Sequence, residues 1–131
     1  MIHILGIESS SKQCSVAINF DKDIHESCSI VNNDSVTSLP IMAQEMINKL
    51  SLAFKDLDGI AVSMGPGSFT GLRIGLSYAK GLALALNVPI IPISTFDLIV
   101  LPRAKDLKEE LVSLKHFHNK STSVLTVTLL D

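Results

Sequence analysis

Ile60-Ala61-Val62-Ser63-Met64-Gly65-Pro66-Gly67-Ser68-Phe69-Thr70-Gly71-Leu72-Arg73-Ile74-Gly75 is the stretch that decides how this chain is built. The apolar run Ile60 to Met64 reads as a short buried strand, and Gly65-Pro66-Gly67-Ser68 reads as a tight loop that ends it. Ser68 is a good N-cap for a helix that runs to Leu86, where Asn87 and then Pro89 stop it. Ile90 to Ile93 is a second short buried strand, with a helical turn after Ser94. A strand, a helix and a strand in succession make one parallel crossover unit.

Working outward, the residues before this unit supply its neighbours. Ile2 to Ile7 is apolar except for His3 and Gly6, the pattern of a central strand covered on both faces. Gln13 to Phe20 alternates, with Cys14, Val16, Ile18 and Phe20 on one side and Ser15, Ala17 and Asn19 on the other. Asp21-Lys22-Asp23 is turn chemistry, and Ile24 to Val31 reads as a third strand, which completes an antiparallel meander. Asn32 to Ser35 offers N-caps for a helix reaching about Leu52. Its apolar stripe includes Leu39, Met42, Ala43, Met46 and Ile47, whereas Ile41, Glu45 and Leu52 lie on the outer side. Downstream, a charged helix is expected from Arg103 to Phe117 and a strand from Ser123 to Leu130.

Composition narrows the function classes. The 131 residues amount to one domain, and 47% hydrophobic against 18% charged residues supplies enough apolar surface for a packed core. Eleven basic and thirteen acidic residues give a net charge of -2, so binding of nucleic acid through bulk electrostatics is not expected. The first basic side chain is Lys12, which leaves no pattern of a secretory leader. Leu82 to Leu86 is the longest strictly apolar run, too short to span a bilayer. Cys14 and Cys28 fit no zinc motif; on neighbouring strands they could approach each other, and they read as reduced thiols in a cytoplasmic protein.

The loop 65–71 supports two readings. Gly65, Gly67, Ser68 and Thr70, set before a helix N-terminus, could hold a phosphate through backbone N–H groups. The spacing matches neither a Walker A motif nor a dinucleotide fingerprint, and the glycines equally suit a tight turn with close packing. The helix after the loop carries Arg73, Ser77 and Lys80 as one narrow polar strip. Opposite it, Gly71, Gly75, Tyr78, Ala79, Leu82 and Leu86 form a face suited to packing on a sheet, and Leu72, Leu76 and Ala83 form an apolar flank. So little polar surface calls for cover on more than one side, by the neighbouring helix or by another chain.

Leu5-Gly6-Ile7-Glu8-Ser9-Ser10, Cys14-Ser15-Val16-Ala17-Ile18, Gly65 to Gly75, Gly81-Leu82-Ala83 and Pro89 to Thr95 together resemble the TsaB (YeaZ) family. That family is the non-catalytic paralogue of TsaD, the tRNA threonylcarbamoyladenosine transferase related to glycoprotease-like (peptidase M22-like) proteins. The resemblance covers residues 1 to about 102 densely. It implies an α/β fold, a ribonuclease-H-like lobe of the actin-like ATPase type with a mixed five-stranded sheet. On that reading residues 1–102 are the first lobe, and residues 103–131 are a linker helix with the first strand of a shortened second lobe.

The resemblance also separates scaffold from enzyme. Where the catalytic paralogue carries an Asp-Glu pair and two metal-binding histidines, this chain has Lys12 and Gln13, and Thr95 and Ile99. His3, His25, His116 and His118 do not reproduce that histidine spacing. The family opens with Asp-Thr-Ser where this chain has Glu8-Ser9-Ser10. What the resemblance implies is a subunit with no catalytic residue, metal or cofactor that supports a TsaD-like transferase and a TsaE-like ATPase. It would touch tRNA only indirectly and associate through helices, as a homodimer when isolated. The partner surface is expected at Ile41, Glu45, Leu52, Leu72, Arg73, Leu76 and Lys80. The rival reading is a nucleotide-binding module or ATPase of the actin-like superfamily.

Overall fold

Asn19 and Asp58 fix where the first strand begins. The Asn19 side chain accepts from the Ile4 N–H at 2.6 Å and donates to the Ile2 carbonyl at 2.6 Å. Asp58 accepts from the His3 N–H at 2.8 Å through its carboxylate, and its own N–H donates to the His3 carbonyl at 2.8 Å. The computed structural model describes residues 1–30 and 35–98, and Met1–Leu98 form a single unit. The expected helix from Arg103, the strand from Ser123 and the boundary at 102 lie outside the described residues.

From Ile4 the strand β1 runs to Glu8, followed by β2 (Gln13–Phe20) and β3 (Asp23–Ile30). Asp21 and Lys22 both take positive φ, 50° and 72°, and Phe20 pairs with Asp23, so the two strands are joined by a two-residue hairpin turn. The helix α1 (Ser35–Lys49) leads to a 3-10 turn at Phe54–Asp56, then β4 (Gly59–Ser63), α2 (Phe69–Leu86) and β5 (Ile90–Ile93). The sheet order is β3-β2-β1-β4-β5. β1–β2 and β2–β3 are antiparallel, and β1–β4 and β4–β5 are parallel, which is the mixed five-stranded sheet expected from the sequence.

One face of the sheet carries the core. Leu5 and Ile7, Cys14, Val16 and Ile18, and Ile60 and Val62 form one buried cluster with Leu39, Met42, Ala43, Met46 and Ile47 of α1 and Ala79 and Ala83 of α2. Both helices therefore share a face. β1 is central but not covered on both sides by described elements: Leu5 and Ile7 are buried, and Ile4, Gly6 and Glu8 on the reverse face are half-buried. Cys14 points into the core and Cys28 is exposed. Cys14 is level with Ser29, and Cys28 with Ser15, so the two thiols project from opposite faces and do not approach each other.

α1 ends earlier than its apolar pattern suggests. Ser51 takes φ 55°, and the Leu52 N–H turns back to the Ile47 carbonyl at 3.0 Å, a left-handed C-terminal cap made without glycine. Leu52 therefore lies beyond the helix and packs against the edge of the core. It stands half-buried beyond the end of α1 rather than on the outer side of the helix, which corrects its expected place on the helical wheel. α2 follows its sequence signals closely. The Ser68 side chain accepts from the Gly71 N–H at 3.3 Å, and Asn87 closes the helix in the left-handed region at φ 55°. Ala83, assigned to a flank from its position on the wheel, is buried in the core.

Candidate functional site

The carboxyl ends of β1, β4 and β5 bring three loops together, the place where open parallel sheets gather ligands or partners. The Ser68 N–H donates to the Ser10 carbonyl at 2.7 Å, and the Thr95 N–H donates to the Gly65 carbonyl at 2.9 Å. Glu8 ties the strand ends together. Its Oε1 accepts from the Ser10 N–H at 2.6 Å and from Ser63 Oγ at 3.0 Å. This use of Glu8 carries no signal in the sequence, because Ser63 lies 55 residues further along the chain.

The glycines of the loop have a packing role. A Cβ at Gly67 would strike Ser10, and one at Gly71 would strike the Ser9 carbonyl. At Gly75 a Cβ would strike Ser9 Oγ. The loop after β1 therefore lies directly against the first turns of α2, which only glycine permits. Gly65 has φ +110°, and its peptide bond to Pro66 is cis. Gly65, Gly67, Ser68 and Thr70 do sit together at the helix N-terminus as expected. The Ser68 amide is taken up by Ser10, and Ser68 Oγ serves as the cap.

Two grooves among the described residues flank α2. One, of about 420 Å³, lies between the loop and the helix flank that faces away from α1, and its walls include Met64, Pro66, Phe69, Leu72 and Leu76. Leu76 also packs on the core, so it belongs to the core edge and to this groove at once. The other, of about 570 Å³, runs between the two helices, lined by Leu39 and Pro40 of α1 and by Ile74, Ser77 and Tyr78 of α2. Arg73 borders both. Its guanidinium lies 5.1 Å from the centre of the exposed Phe69 ring. Tyr78, read onto the sheet face from the sequence, sits half-buried at the helix–helix groove, and burial raises its phenol pKa.

The outer surface of the helix pair is mixed. Ile41 is 56% exposed and Leu84 84% exposed, with Glu45, Arg73, Ser77 and Lys80 exposed among them. Of the expected partner residues, the fold thus brings Ile41, Glu45, Arg73 and Lys80 to one exposed layer of helices and leaves Leu72 and Leu76 half-buried at its side. The positions compared with the catalytic paralogue fall as follows. Lys12 and Gln13 are exposed, and Thr95 is buried, its Oγ1 without a hydrogen-bond partner. Ile99 lies outside the described residues. Among the described residues no cluster of three or more His, Cys, Asp or Glu side chains could hold a metal ion. No described helix is long and apolar enough to cross a membrane.

Residues 27–114 match the family model for TsaD, tRNA N6-adenosine threonylcarbamoyltransferase. The tRNA threonylcarbamoyladenosine biosynthesis protein TsaB of Buchnera aphidicola from Acyrthosiphon pisum is 34% identical, over 91% of this chain and 59% of that protein. The chain belongs to the TsaB (YeaZ) family. The Escherichia coli TsaB is 33% identical over 72% of this chain and 41% of its own length. The chain thus spans roughly half the length of the family members it matches. YeaZ from Pseudomonas aeruginosa superposes with TM-score 0.77 at 26% identity, covering 82% of this chain and 51% of that one. A Thermus thermophilus RuvC shares the fold alone, with TM-score 0.54 at 11% identity. The fold is the α/β ribonuclease-H-like, actin-like ATPase lobe of the family.

Proposed function

We propose that this chain is a non-catalytic partner subunit in the formation of threonylcarbamoyladenosine on tRNA, acting on a TsaD-like transferase through the exposed layer formed by α1 and α2. The observation that carries the reading is that layer. On a lobe of this family, Ile41 and Leu84 stand exposed among Glu45, Arg73 and Lys80, a mixture suited to a partner interface with apolar anchors and a charged rim. The charged rim governs specificity and association rate more than affinity.

Thr95 supports the silent role. A buried threonine hydroxyl is a poor substitute for an imidazole ligand, and its backbone is occupied in holding Gly65. The test is reconstitution with a TsaD-like transferase and a TsaE-like ATPase, with modified tRNA measured by nucleoside analysis. Adding this chain should raise product formation, and the chain without the transferase should give none. Product from the chain alone would overturn the silent role, and failure to co-purify with the transferase would overturn the partnership.

A further inference from the structure

The groove between α1 and α2 reaches from the helix surface down to the core. Leu39, fully buried, belongs to its lining, and Pro40, Ile74 and Tyr78 stand half-buried along it. Its volume of about 570 Å³ falls within the range of about 300–1,000 Å³ typical of small-molecule sites. The polar groups all come from one edge. Thr70, Arg73 and Ser77 follow one another at successive turns of α2, and Tyr78 adds its phenol. Among the described residues, no group of the protein takes up the hydroxyls of Thr70, Ser77 and Tyr78, and Arg73 meets only the Phe69 ring. α2 thus gives the groove a cation and hydroxyls, whereas the residues α1 supplies, Leu39 and Pro40, are apolar.

These surfaces call for an amphipathic ligand with one negative charge. An apolar body lying in the groove takes water away from the guanidinium at its border, which is costly unless the same ligand brings an anion. The guanidinium fork matches a carboxylate through two parallel hydrogen bonds, and one cation neutralises one charge. A phosphate monoester would bring nearly two charges to a lining that holds a single cation. The charge also lies at one end. Arg73 leans toward Phe69, so its guanidinium stands at the N-terminal end of the lining beside Thr70, and Ile74 and Tyr78 continue toward the other end. We propose that the interhelical groove binds a small aliphatic monocarboxylate, its carboxylate held by Arg73 and Thr70 and its chain laid between Leu39 and Pro40 of α1 and Ile74 and Tyr78 of α2. This site does not rest on the partner role of the chain.

Octanoate is the probe, titrated into the full chain and followed by calorimetry and by amide chemical shifts of an isotope-labelled sample. It should bind saturably, with the shifts centred on Ile74 and Tyr78. Octanol, which has the same chain without the charge, should bind roughly tenfold more weakly. Arg73→Gln should weaken octanoate by a similar factor and leave octanol unchanged, a split that loss of folding cannot produce. Ser77→Trp, at an exposed position on the wall, should fill the groove and abolish binding of both, with circular dichroism confirming the fold; Thr70→Trp replaces it if it misfolds. The proposal is overturned if octanoate shows no saturable binding in the millimolar range, if the shifts centre elsewhere, or if Arg73→Gln binds octanoate as the wild type does. Octyl phosphate binding more tightly than octanoate overturns the monocarboxylate assignment. If octanoate does not bind, and the transferase co-purifies with the wild type but not with Arg73→Gln, the guanidinium belongs to a protein carboxylate. That result sinks the small-molecule site and leaves the partner role standing.

Discussion

Two glycines of α2 should respond in opposite directions to the same substitution. Gly81 sits in the helix interior, exposed, with nothing within 4 Å of an added Cβ. Replacing it by alanine removes the entropic cost of glycine in a helix, a gain of about 1 kcal/mol. Gly71 gains the same propensity, but its Cβ would meet the Ser9 carbonyl, which is backbone and is held in a loop bonded to Glu8 and Ser68. Overpacking of that kind typically costs about 1–3 kcal/mol, and backbone that cannot retreat puts the cost at the upper end. The net expectation for Gly71→Ala is a loss of about 1–2 kcal/mol, and for Gly81→Ala a gain of about 0.5–1 kcal/mol. For a domain of this size each kcal/mol moves Tm by about 4–8 °C, so the two variants should melt on either side of the wild type. Urea unfolding followed by circular dichroism, at a concentration low enough to keep the chain monomeric, measures both. Gly71→Ala as stable as the wild type would refute the close contact between the loop after β1 and α2.

Four further outcomes test other parts of the structure. Cys28 is exposed and Cys14 is buried with its thiol pKa raised, chiefly by burial, so a thiol reagent should label one cysteine in the native protein and two after unfolding. Glu8→Ala should cost about 2 kcal/mol by leaving the buried Ser63 hydroxyl and the Ser10 amide without their acceptor, and Glu8→Gln should cost about half as much because an acceptor oxygen remains, both read from urea midpoints. Lys22→Gly should stabilise the β2–β3 hairpin by about 0.5–1 kcal/mol, since Lys22 is held at φ 72°; a lower Tm would contradict the turn. Burial raises the folded-state pKa of Tyr78 above its ordinary value of 10.0, so its contribution to stability is intact below pH 10 and is lost as the pH rises through the folded value. Tyr78→Phe should therefore flatten the alkaline end of the stability profile measured by urea titration.

How far the sequence could be read follows from where each feature stores its information. The β2 alternation, the Ser68 cap and the Asn87-Pro89 stop are local signals, and all three appear as expected. The end of α1 was hidden because Ser51 takes a left-handed conformation normally announced by glycine, so the apolar pattern ran on to Leu52 past a turn the residue types do not mark. The two faces of β1 look alike in the sequence for a related reason: Ile2 and Ile4 complete an apolar run with Leu5 and Ile7, although among the described residues only the latter two join the core cluster with the helices. Among the site residues, the charged ones on the outer helix layer were accessible from the helical wheel, because a wheel reports which side faces away from the sheet. The wheel cannot report what crosses between elements. Glu8 reaching Ser63, the Ser9–Ser10 backbone pressed on Gly67 and Gly71, and the groove shared by Leu39 and Tyr78 all join residues more than 35 positions apart. The glycines show the consequence most clearly. At the level of residue types, a loop that cradles an anion and a loop that admits another loop ask for the same small side chains. In this chain what meets Gly67 and Gly71 is the protein's own Ser9–Ser10 backbone, so the glycine pattern itself is accounted for by packing, whatever else binds at the strand ends.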